Sequence, residues 1–220
     1  MRLIHGLIST MKYPTQLGTI VSVFAVLVIA SLLPFTLDAR IGERRESIER
    51  RLFSSGGIVY RDDSTEESRR KGMPYAQYLE YLPSSSDVRI YFKTSDGRRP
   101  TSSELSDRRM SAGWDLHVVF VHGKSAIEVY KRSQGMTEQE FNRLMAIHAG
   151  GSFWKRLGKE DKDEVVSAFG FEMIRDDGLV RARKLGRDSV LFFDTEIDVE
   201  LAEMKTSDLQ EKAPVSVDGF

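Results

Sequence analysis

The stretch "MTEQEFNRLMAIHAGGSFW", residues 136–154, has the clearest local pattern in the chain, and its polar start predicts the beginning of a helix. Thr137 and Glu140 have the spacing of a capping box, in which each side chain accepts a hydrogen bond from the other residue's backbone amide. Met136 and Phe141 have the spacing of the hydrophobic staple that often accompanies such a box. The start of this helix is therefore specified by local chemistry.

The buried face of the same helix is predicted by side chains that recur at i, i+3, i+4 and i+7, namely Phe141, Leu144, Met145 and His148. Gly150 stands where a left-handed C-terminal cap is expected, so the helix is predicted over 138–149. Phosphate-binding glycines precede a helix, where backbone amides point outward, whereas these glycines follow one. We therefore interpret Gly150 and Gly151 as the end of the helix and not as an anion-binding site.

An antiparallel sheet is predicted on both sides of this helix. "DVRIYFK", from residue 87, alternates as a half-buried strand does, and "WDLHVVFVHGKSAIEVYKR" predicts two strands around a tight turn at Gly123 and Lys124. After the helix, "GKEDKDEVVSAF" predicts a short helix, and "FGFEMIR", "LVRARKL" and "SVLFFDTEI" predict a three-stranded meander with tight turns. The fold class is therefore α+β, with one or two helices packed on an antiparallel sheet over 87–198.

The apparent motifs for nucleotide or metal binding in this sequence lack residues or geometry that such sites require. "HGKS" looks like the end of a phosphate-binding loop, but that motif needs a glycine five positions before Gly123, where Val118 stands. His117 and His122 fall on opposite sides of one strand, so they cannot readily share a metal. Cysteine is absent, which excludes disulfides and thiolate ligands. We expect no cofactor and no metal.

An alternative function is that of a membrane-tethered hydrolase, for which two sets of residues could be catalytic. His148 lies near Ser152 beside the glycine turn, but the chain lacks G-x-S-x-G, and nearness in sequence does not indicate a triad. Asp194, Glu196 and Asp198 fall on one face of the last predicted strand and resemble a paired-carboxylate site. We interpret His148 as a core or helix-end residue and the carboxylates as a solvated face, so no catalytic residue is assigned.

A membrane anchor is predicted by "LGTIVSVFAVLVIASLLPFTL", residues 17–37, which carries no charge over the length of a spanning helix. A cleaved signal peptide is the alternative, with Val28 and Ala30 before a cleavage at Ser31. The apolar run continues beyond that site, so we favour an uncleaved signal-anchor that follows a short tail, residues 1–16.

The orientation of this single span is supported by conflicting signals. Arg2 and Lys12 precede the span, whereas five arginines follow it, at positions 40, 44, 45, 50 and 51. The arginine count places the C-terminal domain inside the cytoplasm. A short basic tail before a first apolar helix is the usual signal-anchor layout, and on that ground we favour the domain outside.

The segments around the globular domain are predicted to be extensions. Residues 38–56 read as a juxtamembrane helical stalk with a thin apolar stripe. Residues 57–86 read as a linker with one short helix, marked by Tyr75 and Tyr78. Residues 199–220 lose their pattern, and a largely disordered tail is expected there.

The C-terminal half has one resemblance. The succession of "VYKRS", "MTEQEFNRLMAIHAGGSFW", "IRDDGLVRA" and "LFFDTE", within residues 126–196, resembles a small domain of uncharacterised exported or envelope proteins of bacteria. The resemblance implies an envelope location and carries over no activity, cofactor or catalytic residue.

These patterns favour a membrane-anchored, non-catalytic binding or scaffold module of a bacterial envelope, with another envelope protein as its partner. The net charge of −1 and the mixed charges argue against a nucleic-acid partner. A pseudopilin-like assembly subunit is the structural alternative. A prepilin processing site needs Glu at the fifth position after its glycine, but the fifth position after Gly18 is Val23. Gly18 and Ser22, four residues apart in the span, have the spacing that allows close helix packing, but homo-oligomerisation is not favoured.

Overall fold

The computed structural model describes residues 40–60, 63–106, 112–158 and 165–212. The strands in this part of the chain are β1 (Ile58–Val59), β2 (Asp87–Thr94), β3 (Gly113–Val121), β4 (Lys124–Arg132), β5 (Trp154–Arg156), β6 (Met173–Arg175), β7 (Val180–Leu185) and β8 (Ser189–Asp194). They form one sheet in the order β1-β2-β3-β4-β8-β7-β6-β5, and every pairing is antiparallel. The predicted α+β class with an antiparallel sheet is confirmed.

Helices cover both faces of this sheet. They are α1 (Arg45–Ser54), α2 (Asp63–Arg70), a 3₁₀ helix (Pro74–Tyr81), α3 (Ser102–Ser106), α4 (Glu138–Ala149) and α5 (Thr195–Glu211). Ile48 of α1 and Leu144 of α4 belong to the hydrophobic cluster on one face. Tyr75 of the 3₁₀ helix and Leu201 of α5 belong to the cluster on the other. The central strands are therefore enclosed between two layers of helix.

Burial on both faces explains the long apolar run in β3. Val118 and Phe120 contribute to the cluster beneath α1 and α4, while Val119 contributes to the opposite cluster. In β2, Ile90 and Tyr91 are both buried although they point to opposite faces. The prediction of a half-buried strand was wrong, because the sequence pattern did not reveal a second layer of helices.

The predicted helix over 138–149 is confirmed in its bounds and in both of its ends. The Thr137 side chain accepts a hydrogen bond from the Glu140 amide at 3.2 Å, and the Glu140 carboxylate accepts one from the Thr137 amide at 2.9 Å. Gly150 ends the helix in the left-handed conformation, with φ 59°. The meander of β6, β7 and β8 is also confirmed.

The segment predicted to be a stalk, 38–56, is part of the globular domain where it is described. Ile48 is completely buried, and Ile41 is 8% exposed. The backbone of Gly42 donates a hydrogen bond to Ser125 O at 2.7 Å, at the start of β4. A thin apolar stripe was sufficient for packing, because a few deeply buried side chains hold α1 against the sheet.

The predicted linker, 57–86, also contributes to the core. β1 pairs with β2 and forms one edge of the sheet, and the 3₁₀ helix buries Tyr75 and Tyr78. The Tyr78 hydroxyl donates a hydrogen bond to Ala168 O at 2.5 Å, which ties the 3₁₀ helix to the loop before β6. The polar composition of this segment concealed a few aromatic anchors that supply most of its packing.

The C-terminal predictions need two corrections. The last strand ends at Asp194, whose side chain accepts hydrogen bonds from the amides of Glu196 and Ile197 and so begins α5. The expected disordered tail, 199–220, is helical up to Glu211. Leu201 packs on the sheet, and Tyr81 donates a hydrogen bond to Asp208 at 2.9 Å, so tertiary contacts stabilise a helix that its own pattern did not predict.

Three smaller predictions have separate outcomes. The β3–β4 turn lies one residue earlier than predicted, at His122 and Gly123, which both have positive φ as a type I′ turn requires. The short helix predicted in "GKEDKDEVVSAF" is not seen in its last five residues, 165–169. The apolar segment 17–37 lies outside the described residues, and no helix within them is long and apolar enough to cross a membrane.

Candidate functional site

A cleft of about 330 Å³ lies on the face of the sheet that α1 and α4 cover. Aromatic side chains contribute much of its lining: Tyr91, Phe92, Trp114 and Tyr130. Leu52 of α1 and Leu144 of α4 add apolar surface from the helices. The volume falls within the range of small-molecule sites, which are mostly apolar with a few placed polar groups.

Strand register places the floor of the cleft. Tyr91 pairs with Leu116, and Leu116 pairs with Tyr130, so these three side chains lie in a row on one face of β2, β3 and β4. Lys93 pairs with Trp114 in a parallel row. Because α1 and α4 lie over the same face, the two rows form the floor of the cleft, and the helices form its sides.

The walls of the cleft carry four cationic side chains and one carboxylate. The cations are Arg40, Arg51, Lys93 and Arg143, and the carboxylate is Glu140. Arg51 Nη1 pairs with Glu43 Oε2 at 2.7 Å, while its Nε and Nη2 are buried and have no partner among the described residues. Arg40 donates from Nη1 to the Tyr130 hydroxyl at 3.0 Å.

A buried polar network lies behind Tyr130. The Tyr130 hydroxyl donates a hydrogen bond to Glu128 Oε2 at 2.7 Å, and it lies 3.3 Å from His148 Nε2. Glu128 and His148 have no solvent-exposed surface. Tyr130 therefore connects the open cleft, through Arg40, to two titratable groups in the core.

Burial determines the protonation of this network. It raises the pKa of Glu128 and raises the pKa of Tyr130 well above its ordinary value, because each anion would lose its hydration. Burial also holds the pKa of His148 well below its ordinary value, and nearby Arg40 and Arg51 add to the effect. His148 is therefore neutral near pH 7, and its 3.7 Å approach to Glu128 is no ion pair between charged groups.

His148, the residue on which the hydrolase alternative rests, is buried in the core. Its ring is stacked on Phe192, inside the core. Ser152 lies beyond the helix end, where its amide donates to Ala149 O at 2.9 Å. In the described part of the chain, no hydrogen bond joins His148 to Ser152, so the structure does not bring this pair together.

The carboxylate face predicted on the last strand is wrong, because that strand ends at the first of its three residues. Asp194 caps α5, and Glu196 is exposed on its first turn. Asp198 is fully buried and pairs with Arg181 Nη1 at 2.5 Å. It also accepts hydrogen bonds from the Ala168 and Phe169 amides at 2.9 and 3.1 Å, which indicates a structural role.

The two other histidines in the described part of the chain, His117 and His122, lie in different environments. His117 is buried and its Nδ1 lies 2.8 Å from the Tyr75 hydroxyl, on the face opposite the cleft. Burial is the main cause that lowers the pKa of His117 to about 3. His122 is exposed in the β3–β4 turn. Within the described residues, no three histidine or acidic side chains are grouped so that they could hold a metal ion.

Sequence reasoning missed the cleft because its residues come from three distant segments. Arg40 and Arg51 lie in the predicted stalk, whereas Trp114 and Tyr130 lie on neighbouring strands. The available signal was the spacing of Ile41 and Ile48, which indicated that one side of this segment could pack. No family model, curated protein or solved structure matches the chain.

Proposed function

We propose that this protein is a non-catalytic binding module of a bacterial envelope and that the cleft between α1 and α4 is its binding site. The observation that carries the proposal is the cleft itself, which combines an aromatic floor with cationic side chains from separate elements. Such a combination buries an apolar group and orients it through a few polar contacts. The adjacent titratable groups, Glu128 and His148, are fully buried and support the floor.

The membrane part of the proposal is supported by the sequence. The uncharged segment 17–37 has the length of a spanning helix, and the basic tail before it favours a signal-anchor with the domain outside the cytoplasm. Another envelope protein remains the proposed partner. Reporter fusions after residue 220 test this part, with an exported phosphatase expected to be active and a fluorescent reporter of the cytoplasm expected to be dark.

The binding part is tested by blocking the cleft. The full chain, purified in detergent, is screened against small anionic, neutral and cationic compounds by the rise in melting temperature that ligand binding produces. Leu144→Trp fills the cleft from α4, and Leu179→Trp makes the same change at a side chain that is 60% exposed elsewhere. We expect at least one compound to stabilise the natural chain and the Leu179 variant but not the Leu144 variant.

Two results would contradict the proposed binding site. One is that every active compound stabilises the Leu144 variant as much as the natural chain. The other is that compounds of all three classes leave the melting temperature of the natural chain unchanged. A circular dichroism spectrum of the Leu144 variant checks that the larger side chain has not unfolded α4.

A further inference from the structure

We propose that the ligand of the cleft is an organic acid, with an apolar body on the aromatic floor and a carboxylate held by Arg51 and Arg40. This inference rests on the proposed function and adds the chemical class of the ligand. It is carried by three observations: unpartnered guanidinium nitrogens on Arg51, an excess of cations in the lining, and an apolar floor large enough for a ring.

The guanidinium of Arg51 is satisfied on one side only. Nη1 binds Glu43, while Nε and Nη2 are buried without a partner among the described residues. These two nitrogens lie on one edge of the planar group, and that edge matches the two oxygens of a carboxylate. Both nitrogens are closed to solvent in this conformation, so a carboxylate reaches them only when the Arg51 side chain, which is 37% exposed as a whole, turns this edge toward the cleft. Because an unpaired buried donor is costly, a carboxylate bound there would satisfy two donors that folding has left unpaired.

Arg40 supplies a second cation on the same wall. It donates to the Tyr130 hydroxyl, which is a neutral acceptor, and it forms no salt bridge within the described residues. Burial lowers the pKa of Arg40, but the contacts with Tyr130, Glu128 and Glu43 outweigh that effect and leave its pKa raised. Arg40 therefore stays charged and can face an anion in the cleft.

Within the described ranges, the carboxylates near the cleft pair with only one of its four cations, Arg51. Glu43 is engaged by Arg51, and Glu128 lies behind Tyr130 in the core. Glu140 is held by the Thr137 cap and by Arg132 at 3.2 Å. On the remaining walls, Lys93 and Arg143 have no ion-pair partner in the part of the chain that the structure describes.

The apolar floor selects for more than a simple inorganic anion. Tyr91, Trp114 and Leu116 form a continuous surface on neighbouring strands, and Leu144 faces them from α4. A ring or short alkyl chain would bury its apolar surface there and gain from its removal from water. A cation would meet the like charges of Arg40, Lys93 and Arg143, and a neutral ligand would leave the Arg51 nitrogens unpaired.

Matched probes separate these possibilities. The full chain in detergent is titrated calorimetrically with 3-phenylpropionate, with the isosteric 3-phenylpropanamide, and with the cation 3-phenylpropylamine. We expect the acid to bind about tenfold or more tightly than the amide, since hydrogen bonds to charged groups contribute about 1.5–3 kcal/mol. The amine is expected to bind more weakly than either.

Variants of Arg51 locate the carboxylate. Arg51→Lys keeps the charge beside Glu43 but removes the two-nitrogen edge, and it is expected to lose most of the preference for acid over amide. Arg51→Gln is expected to abolish that preference. Arg156→Gln, an exposed arginine on β5, is the matched control and is expected to leave the titration unchanged.

Specific results would overturn the inference. Equal affinity for acid and amide, unchanged acid binding in both Arg51 variants, or no binding of the acid would each do so. If the amide or amine binds and Leu144→Trp blocks it, the proposed function stands while the acid assignment fails. An unfolded Arg51→Gln protein leaves the decision to Arg51→Lys, which retains the Glu43 ion pair.

The same carboxylate chemistry has two sources, a free small acid or the C-terminus of a protein partner. A hexapeptide that ends in a free phenylalanine carboxylate distinguishes them. Binding of 3-phenylpropionate without binding of the peptide assigns the cleft to a free acid. Tighter binding of the peptide than of the small acid, lost in the peptide amide, assigns it to a protein chain end, and either result supports the acid inference.

Discussion

The imidazole of His148 lies parallel to the ring of Phe192, with the ring centroids 3.7 Å apart and the planes 5° apart. Arg175 donates to the backbone oxygen of His148 at 3.3 Å, and Trp154 donates to that of Met145 at 2.8 Å, so two side chains satisfy the end of α4. His148 thus joins the helix to the sheet. The hydrolase alternative required its ring to face a substrate, and the ring has no exposed surface.

The Tyr130 hydroxyl is predicted to be a major contributor to stability, because three buried or half-buried groups use it. Tyr130→Phe leaves Glu128 Oε2 without its donor and is expected to lower the free energy of unfolding by about 1–3 kcal/mol. Tyr81→Phe, which removes a hydrogen bond at the surface, is the control and should change it by about 0.5 kcal/mol or less. Urea unfolding of both variants measures the difference, and equal effects would contradict the network.

Asp194 and Asp198 are predicted to differ strongly although they are four residues apart. Asp198→Ala breaks a buried ion pair with Arg181 and is expected to cost about 3–5 kcal/mol of unfolding free energy. Asp194→Ala removes a helix cap, for which about 1 kcal/mol is expected. Denaturant unfolding of the two variants measures both losses. Similar losses of unfolding free energy would show that Asp198 is not the buried anchor of the 165–171 loop.

Ile48 is predicted to be essential for packing α1. Ile48→Ala is expected to lower the unfolding free energy by about 2–5 kcal/mol, because the side chain is fully buried against the sheet. Phe53→Ala on the same helix is the matched control, since Phe53 is 46% exposed, and should cost much less. A stalk independent of the domain would show no difference between the two variants in thermal unfolding.

Stability is predicted to fall as the pH drops below about 6.5, the ordinary pKa of histidine. The folded-state pKa values of His117 and His148 are lowered, so as the pH falls the unfolded chain binds protons at these residues before the folded chain does. This proton binding favours the unfolded state. Each histidine is expected to contribute a loss of about 2 kcal/mol between pH 7 and pH 5. The raised pKa values of Glu128 and Asp115 act in the opposite direction, because protonation of the folded state stabilises it.

The pH effect is checked with urea unfolding at several pH values for the natural chain, His117→Gln and His148→Gln. Each substitution removes one titrating group, so each variant should show a shallower decline between pH 7 and pH 5. A natural chain whose unfolding free energy is constant over this range, or variants with the same slope, would contradict the burial of neutral histidines.

The sequence predicted the parts of the fold that depend on neighbouring residues. The cap at Thr137, the end at Gly150 and the meander turns are local and were predicted correctly. α1 and α5 were missed as domain elements, because their stability comes from contacts of Ile48 and Leu201 with distant strands. The buried pair of Arg181 and Asp198 was hidden for the same reason.

The candidate site was less predictable than the fold. Arg51 and Trp114 are 63 positions apart, and only the sheet register and the docking of α1 bring both to one cleft. Arginines after an apolar segment also have an ordinary explanation as topology signals. The proposed role of Arg51 in binding a carboxylate rests on its unpartnered guanidinium nitrogens, which no spacing in the sequence predicts.

The central claim, that a carboxylate ligand occupies the cleft, is tested most directly through the two tryptophans of the chain. Trp114 lines the cleft, whereas Trp154 donates from its indole to Met145 O. In the ¹H–¹⁵N spectrum of the full chain, assigned with Trp154→Phe, we predict that 3-phenylpropionate shifts the Trp114 indole signal in a saturable way and leaves that of Trp154 in place. An unmoved Trp114 signal, or equal shifts of both signals, would contradict the account.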